Sequence, residues 1–66
     1  MMYELAVRGR IDHYNNREWF VVVEFESGEE LTDVDLRADA ERFMFDLITA
    51  EPDSYFTQQA DNNRVD

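Results

Sequence analysis

The chain has no cysteine and no lysine, and only two glycines and one proline among its 66 residues. Without cysteine there can be neither a disulfide nor a thiolate metal site, and the absence fits a reducing interior. Without lysine, all six cations are arginine, a usage that accompanies high-GC coding and also acidic surfaces adapted to salt. Gly9 and Gly28 stand far apart, so neither belongs to a phosphate-cradling loop. The longest apolar run, Trp19 to Val23, falls well short of the roughly 20 residues needed to cross a bilayer. The opening Met1-Met2-Tyr3-Glu4-Leu5 shows no basic leader followed by an apolar stretch. Together these absences predict a soluble cytoplasmic protein.

What is present in quantity is acid. Sixteen Asp and Glu against six Arg leave a net charge of -10. Eleven of the sixteen lie between Glu24 and Asp53, where only Arg37 and Arg42 answer them, while residues 1 to 23 are balanced. Repulsion concentrated on one part of a small domain costs stability, and it attracts basic protein surfaces while repelling nucleic acid and anionic membranes. Trp19, five phenylalanines, three tyrosines and a supply of aliphatic residues argue for a packed core over a disordered acidic chain. At this length the chain is one small domain, expected over residues 1 to 60, with a flexible polar tail at 61 to 66.

The fold class expected is α+β: a two- to three-stranded antiparallel meander packed on one main helix, with a short C-terminal helix. Tyr3, Leu5, Val7 and Ile11 alternate with polar residues, as do Trp19, Val21, Val23 and Phe25, each run having the period of a half-buried strand. Pairing residues whose numbers sum to thirty puts Leu5 opposite Phe25 and Val7 opposite Val23. Tyr14-Asn15-Asn16 is then the loop, with Asn16 left-handed and Gly9 a weak point or bulge. Glu29-Glu30-Leu31 reads as a third strand. Thr32, with Asp35 three residues on, resembles a capping box and opens a helix running to about Ala50, where Glu51-Pro52 stops it; Asp39 is the alternative start. On that helix Leu36, Ala40, Phe43, Met44 and Leu47 form the core stripe, whereas Val34, Ala38 and Phe45 face away. Asp53 to Ala60 reads as a short capped helix.

Catalytic and metal motifs do not emerge. His13 is the only histidine and lies by a predicted loop without an orienting partner, so a solvated side chain is expected rather than a general base. The run from Asp33 places Arg37 at the fifth position of a calcium loop and lacks its glycine. No enzyme activity, cofactor or metal is therefore expected. Arg8 and Arg10 share a strand face, but Glu24 and Glu26 on the neighbouring strand offer them ion pairs, and the net charge opposes direct binding of nucleic acid.

Carboxylates on successive helix turns and strand ends can imitate the row of phosphates that a nucleic-acid-binding protein recognises. The candidate partner-binding residues are Glu29, Glu30, Asp33, Asp35, Asp39 and Asp46, with Phe45 as an apolar contact. In size, arginine-only cations, compact strand-and-helix build and acids from Glu24 to Asp53, the chain resembles the small acidic inhibitors made by phages and mobile elements. These are the anti-CRISPR and anti-restriction DNA mimics and the inhibitors of uracil-DNA glycosylase. The likeness lies in overall character, with no residue-by-residue match. It implies a non-enzymatic inhibitor that blocks the nucleic-acid-binding surface of a bacterial defence complex such as a CRISPR effector, with a basic protein as partner and no direct contact to nucleic acid, membrane or small substrate. The alternative is a small interaction or assembly module, antitoxin-like or homodimeric, whose acidic surface serves solubility only.

Overall fold

The structure, a computed structural model, describes residues 2–58. Four strands and one helix follow in the order β1 (Tyr3–Asp12), β2 (Arg17–Glu24), β3 (Glu30–Val34), α1 (Arg37–Ala50) and β4 (Tyr55–Phe56). The sheet order is β3-β2-β1-β4, with β1-β2 and β2-β3 antiparallel and β4 parallel to β1. The α+β class and the antiparallel meander are as expected, but the sheet is mixed and gains a fourth strand. Where a short C-terminal helix was expected, Tyr55–Phe56 instead pairs with Tyr3 and Glu4. Ser54 helps to set this edge, its carbonyl accepting from the Tyr3 N–H at 2.7 Å. The rest of that expected helix, and the tail at 61 to 66, lie outside the described residues.

Strand pairing between β1 and β2 sums to twenty-nine, one residue away from the expected register: Val7 faces Val22 and Asp12 faces Arg17. Two physical causes account for this. The carboxylate of Asp12 accepts from the Tyr14 and Asn15 N–H groups at 3.0 and 3.3 Å and from the Asn15 side-chain amide at 2.8 Å. It thereby closes a four-residue loop, His13 to Asn16, instead of a three-residue one. Asn16 does take the left-handed conformation, with φ 52°. The second cause is that Trp19 to Val23 is apolar at both parities, so within this run a one-residue slip exchanges one apolar set for another, while Phe25 beyond it is left exposed. Gly9 pairs regularly with Phe20 and marks no bulge in this ladder; a Cβ there would meet the Phe20 ring at an ordinary contact distance of 3.6 Å. An irregularity lies instead between Val22 and Val23, where β3 pairs.

The slip decides which residues form the core. Leu5 and Val7 now share a face with Phe20 and Val22, and α1 covers that face through Ala40 and Met44, with Phe45, Leu47 and Ile48 packed against it. Trp19, Val21 and Val23 join Ala6 on the opposite face. Ile11, expected in the core, lies near the hairpin tip and is exposed.

The helix begins four residues later than the capping-box reading placed it, with Leu36 instead of Thr32 as N-cap. Thr32 pairs with Val22 inside β3, because the segment from Glu30 to Val34 can bury Leu31 and Val34 against the core only in extended form. Leu36 occupies the N-cap position with extended backbone and no side-chain hydrogen bond. The C-terminal end matches expectation: Glu51 follows the last helical residue, its N–H donating to Leu47 O at 2.9 Å. The buried stripe centres on Ala40 and Met44 and is rotated from the expected one. Phe43 and Leu36 sit at its exposed margin, while Phe45 turns inward.

Candidate functional site

Edge strand β3 and the segments flanking it gather most of the candidate acids. The turn from Phe25 to Glu29 is fixed by its own backbone: Gly28, at φ 76°, donates to Glu24 O at 2.7 Å, and Glu24 in turn donates to Glu29 O at 2.8 Å. Ser27 Oγ accepts from the Glu29 N–H at 3.2 Å. Glu29 leaves this turn exposed, and Glu30 and Asp33 follow on β3, both exposed. Their register partners on β2 are Val23 and Val21, which places their side chains on the sheet face opposite α1. Asp35 lies in the bend after β3, and Asp39 in the first turn of α1, where a carboxylate is favoured by the helix dipole. Five of the seven sequence-predicted residues thus follow one another from the β2-β3 turn through the β3 edge to the start of the helix, Glu30 and Asp33 on the sheet face away from α1 and Asp39 on α1 itself.

The other two do not join them in the same way. Asp46 is exposed on the outer surface of α1, two helical turns, or about 10 Å of rise, beyond Asp39, with Arg42 between them in sequence. Phe45 is half-buried against the Leu5–Met44 cluster, so its ring packs on the core instead of facing away from it as the helical wheel suggests.

Arginine answers part of this charge. Arg10 donates from Nε and Nη2 to one oxygen of Glu30, at 3.2 and 3.0 Å. Arg17 lies 3.6 Å from Asp35, and Arg37 lies 3.8 Å from Glu41 one helical turn on. The expected pairs of Arg8 and Arg10 with Glu24 and Glu26 give way to two other arrangements, since Arg8 rests over the Phe25 ring at 5.5 Å. Exposed pairs of this kind are each worth about 0–1 kcal/mol. Among the described residues, Asp33 has no ion pair.

The sheet face turned away from α1 is the feature the sequence reading missed. Its floor is Ala6, Val21 and Val23, nearly or wholly buried although none of the described elements packs over them. Among the described residues, long side chains of the sheet itself lie across it. Arg10 on β1 reaches Glu30 on β3 across the intervening β2; its own β2 partner is Trp19 and that of Glu30 is Val23, so the ion pair passes over Val21. Arg17 stacks on Trp19 at 5.0 Å. The signal for this second face was the uninterrupted Trp19–Val23 run, since a strand apolar on both sides must be covered on both.

Chemistry of other kinds finds little support in the geometry. His13 is exposed in the hairpin loop. Among the described residues, no group of three or more His, Cys, Asp or Glu is placed to hold a metal ion, and no helix is long and apolar enough to cross a membrane. Asp12 is held below the usual carboxylate value of 3.8 chiefly by the Asn15 side-chain hydrogen bond. Comparison with protein-family models, curated proteins and solved structures finds no match to this chain. The functional argument therefore rests on its own surface.

Proposed function

We propose that this protein is a non-enzymatic acidic inhibitor that presents carboxylates in place of DNA phosphates and so blocks the nucleic-acid-binding surface of a bacterial defence complex, in the manner of an anti-CRISPR protein acting in the host cytoplasm. The supporting observation is the flank on which Glu29, Glu30, Asp33, Asp35 and Asp39 stand exposed. A strand presents same-face side chains every 6.6–6.8 Å, close to twice the 3.4 Å rise per nucleotide of a DNA strand. A hydrogen-bonded sheet holds such a row stiffly, and a basic groove reads mainly its charge. Arg10 and Arg17 lie across the row at Glu30 and Asp35; being exposed, those pairs exchange readily for stronger cations on a target.

Charged edge strands also protect a sheet from pairing with other chains. That role covers Glu30 and Asp33 on β3, but not Glu29 in the turn or Asp39 on the helix. The two roles part in one experiment: the triple variant Glu29→Arg/Asp33→Arg/Asp39→Arg keeps an edge of charged residues but inverts the row. The wild-type protein should retrieve a basic nucleic-acid-binding complex from bacterial lysate at 0.1 M salt. Duplex DNA should displace it, and 1 M salt should release it as the Debye length falls from about 10 to 3 Å. The triple variant, with a native circular dichroism spectrum, should retrieve nothing. Equal retrieval by variant and wild type, or indifference to DNA, would overturn the proposal.

The assembly-module reading is favoured by one separate observation, the sheet face that, among the described residues, is covered by side chains of the sheet itself.

A further inference from the structure

We propose that the sheet face turned away from α1 is a weak homodimer interface, on which a second copy of this chain packs about a two-fold axis parallel to β2. The argument is charge complementarity built into the register. β1 carries Arg8 and Arg10 on this face, β2 is apolar, and β3 carries Glu30 and Asp33. The middle of the face is therefore positive on the β1 side and negative on the β3 side, while Glu4 and Asp12 stand on the same β1 face toward its two ends. A two-fold axis lying between two such faces and running along β2 keeps the level along the strands and exchanges left for right. Every β1 position of one copy then lies over a β3 position of the other, which is the self-complementarity that a C2 interface requires.

Register makes the match specific. Arg8 and Asp33 are both paired with Val21 and occupy one row across the sheet. Among the described residues they are also the two charges of that row without an ionic partner, Arg8 having only its contact with the Phe25 ring. Within one chain β2 and the Arg10–Glu30 pair lie between them. Across the proposed axis, Arg8 of each copy meets Asp33 of the other, twice per dimer.

Size sets the strength. Three strands at 4.7–4.9 Å spacing and about six residues of β2 make a planar patch of roughly 300 Å² per copy, below the roughly 800 Å² per partner of a stable complex. The association is therefore transient, and it uses Glu30 and Asp33 of the acidic flank, so a cationic target and a second copy compete for them. The inference does not depend on the proposed inhibitory function.

The test is a charge swap followed by sedimentation velocity, from 10 μM to 1 mM protein in 0.15 M salt, where the Debye length of about 8 Å screens the distant excess charge. Wild type should move from monomer toward dimer over that range. Arg8→Asp and Asp33→Arg should each weaken dimerisation by about tenfold or more, since each turns two attractive contacts into repulsive ones. The combined Arg8→Asp/Asp33→Arg variant should recover the wild-type value. A wild type monomeric at 1 mM, or a natively folded double variant that fails to recover, overturns the proposal. Arg8→Asp leaves all seven candidate residues intact, so its capture of a basic target reports on the inhibitory function separately.

Discussion

At Asn16 the backbone sits at φ 52°, a region that asparagine tolerates and branched residues do not. Asn16→Val should therefore destabilise the fold by about 1–2 kcal/mol, the usual cost of left-handed backbone for an L-residue, whereas Asn16→Gly should stay within a few tenths of that scale; urea midpoints of the two variants give the comparison. Asp12, at the other end of the same loop, has a lowered pKa, and the cause is the Asn15 amide together with the Asn15 and Tyr14 N–H groups. A carboxylate whose pKa is lower in the folded state stabilises fully above its unfolded value, here near 3.8, and the contribution disappears as pH falls through the lower folded value. Acid titration followed by Trp19 fluorescence should accordingly lose part of its slope below pH 4 in Asp12→Asn. An unchanged acid limb would mean that the loop holds without the charge.

Among the elements, α1 has the weakest start. Leu36 occupies the N-cap, 61% exposed and without a side-chain hydrogen bond, while its extended backbone suits an oxygen-bearing cap. Leu36→Asn should stabilise the protein by about 1 kcal/mol, seen as a higher urea midpoint at unchanged slope; a loss would show that the Leu36 side chain packs on something it covers only in solution. The same helix shows what the sequence makes legible. Its end at Ala50 and its Ala40–Met44 stripe follow from Glu51-Pro52 and from the 3.6-residue period, and Met44→Ala should accordingly cost about 2–5 kcal/mol. Its start was hidden because Thr32 and Asp35 carry the letters of a capping box, while Leu31 and Val34 are drawn into the core as strand residues, a tertiary demand that no local motif records. The strand register was hidden for a related reason: with five apolar residues in a row, period-two alternation has no phase, and the loop carboxylate at Asp12 settles it. Among the candidate site residues, Glu29 through Asp39 stay together because chain continuity along an edge strand keeps them so. Phe45 was misread through the helix phase, which depends on the start.

On the scale of the whole molecule the question is whether the excess of acid is felt as repulsion. Nine of the ten net negative charges fall on residues 24 to 53, within a body whose largest extent is 40 Å, so many lie within one or two Debye lengths of each other at low salt. Two opposing effects follow from adding salt. It weakens the exposed pairs at Glu30, Asp35 and Glu41, each worth about 0–1 kcal/mol, and it relieves the repulsion among carboxylates left without an arginine. Three pairs set against nine excess charges make relief the larger effect. Raising NaCl from 10 to 300 mM should therefore increase the urea midpoint. In Asp39→Asn/Asp46→Asn the midpoint should start higher at 10 mM and rise less. A midpoint that falls with salt would mean that the ion pairs outweigh the repulsion, and the flank would then hold no strain for a cationic partner to relieve. A rise that both variants share would place the repulsion elsewhere, at the β2-β3 turn where Glu24, Glu26 and Glu29 crowd together, and the same titration on Glu26→Gln/Glu29→Gln would locate it.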